Sequence, residues 1–154
     1  MPIAIDAEDF AEKFERALQD FALNMAQRLA DAAPADTGEL RAGIRNGFTV
    51  KRVSKGEWHV DFNMPKQAEY IEFGTGIWGP TGAPIQPKNP DGVLAWKAGV
   101  KFRDKYGPMH NYKGSSNWYA FKSVRGIEPH PFIRPTLHQH FAKELNDALK
   151  ANVK

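Results

Sequence analysis

Asp6-Ala7-Glu8-Asp9-Phe10-Ala11-Glu12-Lys13-Phe14-Glu15-Arg16-Ala17-Leu18-Gln19-Asp20-Phe21-Ala22-Leu23-Asn24-Met25-Ala26-Gln27-Arg28-Leu29-Ala30-Asp31-Ala32-Ala33-Pro34 is the stretch on which the fold turns. Phe10, Phe14, Leu18, Phe21, Met25 and Leu29 recur at spacings of 4, 4, 3, 4 and 4, and Ala17, Ala22 and Ala26 widen the stripe. That period belongs to an amphipathic helix of about seven turns. Asp6 suits its N-cap, and Glu8 and Asp9 sit in the first turn, where the helix dipole favours acids. Pro34 ends it, because the residue before a proline is pushed out of helical backbone. A helix this long exceeds the globular average. It is expected to cross a whole domain face or to reach a neighbouring subunit.

Downstream, Asp36 with Glu39 three residues on reads as a capping box for a short helix over Thr37–Ile44, broken by Gly47. Phe48–Val53 and Glu57–Asn63 read as a hairpin turning at Lys55-Gly56, since Trp58, Val60 and Phe62 alternate with His59 and Asp61. Met64-Pro65 opens a short helix bearing Ala68, Tyr70, Ile71 and Phe73, with Gly74 as its C-cap. Residues 74–92 are rich in Gly and Pro and read as a loop, with a short strand at Ile85–Pro87 and a turn at Asn89-Pro90-Asp91-Gly92. Val93–Trp96 and Trp118–Arg125 have strand character. Gly126–Pro135 is an extended linker stiffened by Pro129, Pro131 and Pro135. Pro135 suits the N1 position of a last helix carrying Leu137, Phe141, Leu145 and Ala148 or Leu149. The expected fold is α+β, a small, mainly antiparallel sheet packed by a long N-terminal helix and a C-terminal helix, with long loops. One domain is expected over 1–154. It comprises the long helix (1–33), short helices and strands (34–96), an insertion loop (97–117), and a strand, proline-rich linker and helix (118–154).

Bulk properties exclude several classes. A chain of 154 residues, 42% hydrophobic and 25% charged, with ten Phe, four Trp and four Tyr, can build a core and is not of disordered composition. It has no cysteine, which removes disulfides, thiolate nucleophiles and cysteine-bearing zinc sites. No apolar run is long enough for a membrane span, and the first ten residues lack the basic and apolar regions of a signal peptide. The formal charge of +3 is mild, and acids interleave the bases.

Candidate chemistry is sparse. Gly74-Thr75-Gly76 resembles a phosphate cradle only superficially, because no helix is signalled after it. His59, His110, His130, His138 and His140 lack metal-ligand spacing. Glu69 and Glu72 lie a turn apart but have no matching nucleophile or oxyanion site, so no catalytic residue, cofactor or metal is expected. Phe132 is expected to plug a hydrophobic gap, and Arg134 to pair with Glu72 or Glu128 or to contact a neighbouring subunit. Basic and aromatic residues interleave over 96–122. An alternative reading is therefore a small basic nucleic-acid-binding protein relying on Lys101, Arg103, Lys105 and Lys113.

Four stretches in order carry a resemblance: Ala33-Pro34-Ala35-Asp36-Thr37-Gly38-Glu39-Leu40-Arg41; Ala68-Glu69-Tyr70-Ile71-Glu72-Phe73-Gly74-Thr75-Gly76; Ile85-Gln86-Pro87-Lys88 with Leu94-Ala95-Trp96; and Gly126-Ile127-Glu128-Pro129-His130-Pro131-Phe132-Ile133-Arg134-Pro135. Together they resemble the small neck or tail-completion proteins of long-tailed bacteriophages and prophages. That family carries P-x-D-T-G-x-L-R, Y-x-x-E-x-G-T and P-F-x-R-P-A motifs; Thr136 stands where the last often has Ala. The resemblance covers about Ala33 to Leu137, with 97–117 as an insertion. It implies a virion protein of the head–tail junction, assembled in the host cytoplasm and acting as a ring of copies. The implied partners are head-completion, connector and tail-tube or tail-terminator proteins, with nonspecific contact to channel DNA and none to membrane. The motif residues are Pro34, Asp36, Thr37, Gly38, Tyr70, Glu72, Gly74, Thr75, Gly76, Pro131, Phe132, Arg134 and Pro135. Contacts to subunits or partners are expected at Ile77, Trp78, Phe102, Arg103, Tyr106, Tyr112 and Arg134.

Overall fold

The computed structural model describes residues 6–34, 38–97 and 118–153. The fold is α+β, with helices α1 (Ala7–Ala32), α2 (Glu39–Asn46), α3 (Lys66–Phe73) and α4 (Ile133–Asn152) and strands β1 (Phe48–Ser54), β2 (Glu57–Phe62), β3 (Leu94–Lys97) and β4 (Trp118–Phe121). The described strands form two separate two-stranded antiparallel ribbons, β1–β2 and β3–β4, where a single small sheet was expected. Contacts group the chain into two compact units, residues 1–72 with 130–154, and residues 73–129.

The first unit is built on α1. Asp6 is its N-cap, accepting from the N–H groups of Glu8 and Asp9, and Ala33 closes it with extended backbone, as the following proline requires. Ala17, Leu18, Phe21, Ala22, Met25, Ala26, Leu29 and Ala30 are buried along its stripe. Helix α4 runs antiparallel along that stripe. Phe132, at the start of α4, packs with Leu29, Ala30 and Ala33, while Ala148 packs with Phe21 and Met25. Phe141 meets Phe21 edge-on at 5.0 Å. Arg28 donates to the buried Glu144 through Nε (3.1 Å) and Nη2 (3.0 Å), so the carboxylate that α4 brings into the interface is paired. Near the end of α4, the Asn152 amide donates to Asp20 at 2.8 Å.

Ribbon β1–β2 lies against α1, in register from Phe48↔Phe62 to Ser54↔Glu57 with an irregularity between Arg52 and Ser54. Strand β2 shows the expected alternation, with Trp58, Val60 and Phe62 half-buried and Glu57, His59 and Asp61 exposed. Strand β1 does not alternate. Its first three residues are half-buried, and Lys51–Ser54 are exposed.

The bounds of α2 and the start of α4 differ from expectation, and β3 and β4 span Leu94–Lys97 and Trp118–Phe121 where Val93–Trp96 and Trp118–Arg125 were expected. Helix α2 begins at Glu39 with Gly38 at its cap, in left-handed backbone (φ 79°) and without any side-chain cap bond. It runs to Asn46 instead of Ile44. Glycine has no side chain with which to cap; the Asp36 of the expected capping box, with Thr37, lies outside the described residues. Helix α4 begins at Ile133, which puts Pro135 at the third helical position, not the first. A proline is tolerated there because no first-turn N–H has an acceptor within its own helix.

The second unit is one nested hairpin. Leu94↔Phe121 to Lys97↔Trp118 form its regular rungs, and Ile85 and Val124 exchange both backbone bonds. The chain therefore leaves β3 and returns in β4 side by side. The expected insertion between them, 98–117, lies outside the described residues. The Asn89–Gly92 turn forms as expected. The Gly92 N–H donates to the Asn89 carbonyl (2.9 Å) and the Asp91 N–H to the Asn89 side chain (3.1 Å).

The α1 stripe is the core's main donor of apolar surface. Leu29→Ala is expected to cost about 2–5 kcal/mol, the range for emptying a buried leucine site. Urea unfolding of both chains measures it.

Candidate functional site

The strongest constellation in the first unit centres on Glu72. It is buried to 1% on α3, an unusual place for a carboxylate. One oxygen accepts from the backbone N–H groups of Phe132 (2.7 Å) and Ile133 (2.9 Å); the other accepts from the Arg134 N–H (3.2 Å) and Arg134 Nε (3.0 Å). These are the orphan donors at the head of α4. Pro135 has no N–H to satisfy, and the Thr136 N–H already reaches the Phe132 carbonyl at 3.3 Å. A single carboxylate thus completes the helix start and faces the positive end of its dipole. Beside it, the His130 N–H donates to the Ile71 carbonyl at 2.7 Å, pinning the linker to α3.

Burial pushes the Glu72 carboxyl up. The N–H groups of Ile133 and Phe132, then the Arg134 guanidinium and N–H, stabilise its charged form and more than offset that, so its pKa lies below the ordinary 4.5. Of the partners expected for Arg134, Glu72 is one the structure provides. Phe132 is 5% exposed and fills the gap between Leu29, Ala30, Ala33, Ile44 and Ala68.

Arg41 is a residue that sequence reasoning left without a role. Its Nε (3.1 Å) and Nη2 (2.9 Å) both donate to the Ala33 carbonyl, which satisfies a group at the C-terminal end of α1. It stands in the first of the four motif stretches, but nothing local to the sequence shows that its target lies eight residues back.

In the second unit, Gly74-Thr75-Gly76 is a backbone joint. Gly74 follows α3 in left-handed backbone (φ 76°), and a Cβ on it would stand 2.9 Å from the Ile127 carbonyl oxygen and 3.0 Å from Pro129. Gly76, at φ 63°, lies against the Arg125 carbonyl with no room for a side chain. The Thr75 N–H donates to the Ile127 carbonyl (2.9 Å), the Ile127 N–H donates to the Thr75 hydroxyl (2.9 Å), and the Ile77 N–H donates to the Arg125 carbonyl (2.9 Å). A 3₁₀ turn, Gly76–Trp78, follows where loop was expected, and the Arg125 guanidinium lies 5.0 Å from the Trp78 ring centre. These amides are occupied by the chain itself, which leaves the phosphate cradle without free donors at Thr75 and Ile77.

Other expected positions are dispersed. Tyr70 is 48% exposed, Pro34 and Pro131 are exposed, and Ile77 and Trp78 are half-buried. Phe102, Arg103, Tyr106 and Tyr112 lie outside the described residues. Among the described residues, no group of three His, Asp or Glu side chains could hold a metal, and no helix is long and apolar enough to cross a membrane. Compared with family models, curated proteins and solved structures, the chain finds no match.

Glu72→Gln replaces a carboxylate by an amide whose NH2 opposes backbone donors. The variant is expected to lose about 3 kcal/mol, as when a buried charged partner is removed. Because the folded pKa lies below the ordinary one, the wild-type contribution is complete above pH 4.5 and disappears as pH falls through the folded value. Urea midpoints across a pH series should show that acid-side decline in the wild type and a shallower one in Glu72→Gln. Equal slopes would remove Glu72 as its origin.

Proposed function

We propose that this chain is a structural subunit of a long-tailed phage or prophage virion, acting at the head–tail junction in tail completion or head–tail joining. Copies close into a ring through heterologous contacts. The observation that supports this reading most is the use made of the motif residues. Glu72, from the second motif stretch, seats Phe132, Ile133 and Arg134 from the fourth. Arg41, from the first, closes the end of α1. Gly74 and Thr75 lock against Ile127. These residues serve architecture, which suits a protein whose work is assembly.

In this reading the two units are a scaffold. Ile77, Trp78 and residues of 98–117 meet neighbouring copies or the adjoining connector and tail proteins. The protein's place is the virion, after assembly in the host cytoplasm.

Deleting the gene from its phage or prophage and imaging induced lysates tests this reading. Heads and tails that fail to join, or tails left incomplete, with infectivity restored by the gene in trans, are expected. A normal yield of joined, infectious particles would overturn it.

A further inference from the structure

Asn46 is the one asparagine of the chain followed by glycine; each of the others precedes a residue with a side chain. A glycine is needed at position 47. A Cβ there would stand 2.7 Å from the Gly43 carbonyl oxygen and closer still to that of Asn63. The packing that requires glycine also leaves the Gly47 backbone nitrogen without a side chain to shield it. The two faces of Gly47 are held unequally. Its carbonyl accepts from the Asn63 N–H, next to the first rung of the β1–β2 ribbon, Phe48↔Phe62. Its N–H makes one long bond, 3.3 Å, back to the Ile44 carbonyl. Asn46 is exposed and is the last residue of α2, a helix of eight residues with no side-chain bond at its N-cap. The last turn of so short a helix is the first to open. The Asn46 amide makes no hydrogen bond among the described residues, whereas the Asn152 amide is tied to Asp20 (2.8 Å) and to the Ala148 carbonyl (3.1 Å), and the Asn89 side chain accepts from the Asp91 N–H (3.1 Å).

We infer that Asn46-Gly47 is a self-modification site, at which the chain converts its own asparagine to aspartate and isoaspartate with water as the co-reactant. The Gly47 nitrogen, on losing its proton, attacks the side-chain carbonyl carbon of Asn46. The bond from that carbon to the amide nitrogen breaks, and ammonia leaves. The product is a five-membered succinimide in which the Gly47 nitrogen is bonded to both carbonyl carbons of residue 46. Water then opens the ring at one of them. Opening at the side-chain carbon restores the ordinary backbone and leaves an aspartate. Opening at the backbone carbon leaves isoaspartate, with the chain running through the side-chain methylene. Either product places a negative charge at the C-terminal end of α2, which the helix dipole opposes. The isoaspartate also lengthens the backbone by one atom just before the Gly47–Asn63 bond, so it loosens the root of the β1–β2 ribbon. Age would thus be written into the subunit at the joint between α2 and β1.

Incubating the folded full chain in mildly alkaline buffer, followed by peptide mapping with mass spectrometry, tests the inference. Conversion at position 46 is expected to run about tenfold or more faster than at any other asparagine and to rise with pH, because the attacking nitrogen must lose its proton. Incorporation of heavy oxygen from labelled water and cleavage of the 46–47 bond by hydroxylamine are expected at the same place. Asn46→Gln, at an exposed position, is expected to fold normally, as far-UV circular dichroism would check, and to abolish all three signals. The aged wild type is expected to unfold at lower urea than fresh protein, while aged Asn46→Gln keeps its midpoint. An Asn46 that stays intact in the folded chain while a peptide of residues 42–50 converts under the same conditions overturns the inference, as does conversion no faster than at the other asparagines.

Discussion

The first unit depends on one carboxylate placed where three backbone N–H groups would otherwise be stranded. Helix starts normally borrow an acceptor from the residue just before them. Here that residue is Phe132, whose side chain is committed to the core and offers no oxygen. The acceptor therefore comes from Glu72 on another helix. Phe132 can be buried only if its N–H is satisfied, and Glu72 can be buried only if its charge is compensated; each condition meets the other. Since α4 covers the second half of the α1 stripe, the head of α4 is seated on α1 through that exchange.

What could be read in advance follows from how local each determinant is. The α1 stripe, its Asp6 cap, the alternation of Trp58, Val60 and Phe62, and the Asn89–Gly92 turn are written within a few residues of where they act, and the structure has them all. Pro135 fits the usual first position so well that the local pattern puts the start of α4 two residues late. The true start is set by a side chain sixty residues away in sequence, which no local pattern carries. The same holds for Arg41, which caps a helix that ended before it. The strands were expected to join one sheet because they fall in the middle of the chain. That they form two ribbons follows from pairing partners chosen within each unit, Phe48 with Phe62 and Leu94 with Phe121.

Two glycines of the second motif stretch act as joints. Gly74 and Gly76 take positive φ where a neighbouring backbone leaves no room for Cβ, and Thr75 between them exchanges bonds with Ile127 in both directions. A side chain at either glycine would displace the 125–129 segment. Such joints fix the directions in which the chain leaves and returns.

The length of α1 remains to be accounted for. A helix of 26 residues whose partner helix reaches only to its middle leaves part of its stripe to the flanking ribbon, which covers it incompletely. Helices in water draw most of their stability from packing an apolar face, so first turns covered only in part would be inclined to fray. Asp6 at the cap, Lys13 paired with Asp9 at 2.8 Å and the Phe10–Phe14–Trp58 cluster hold these turns in helical form.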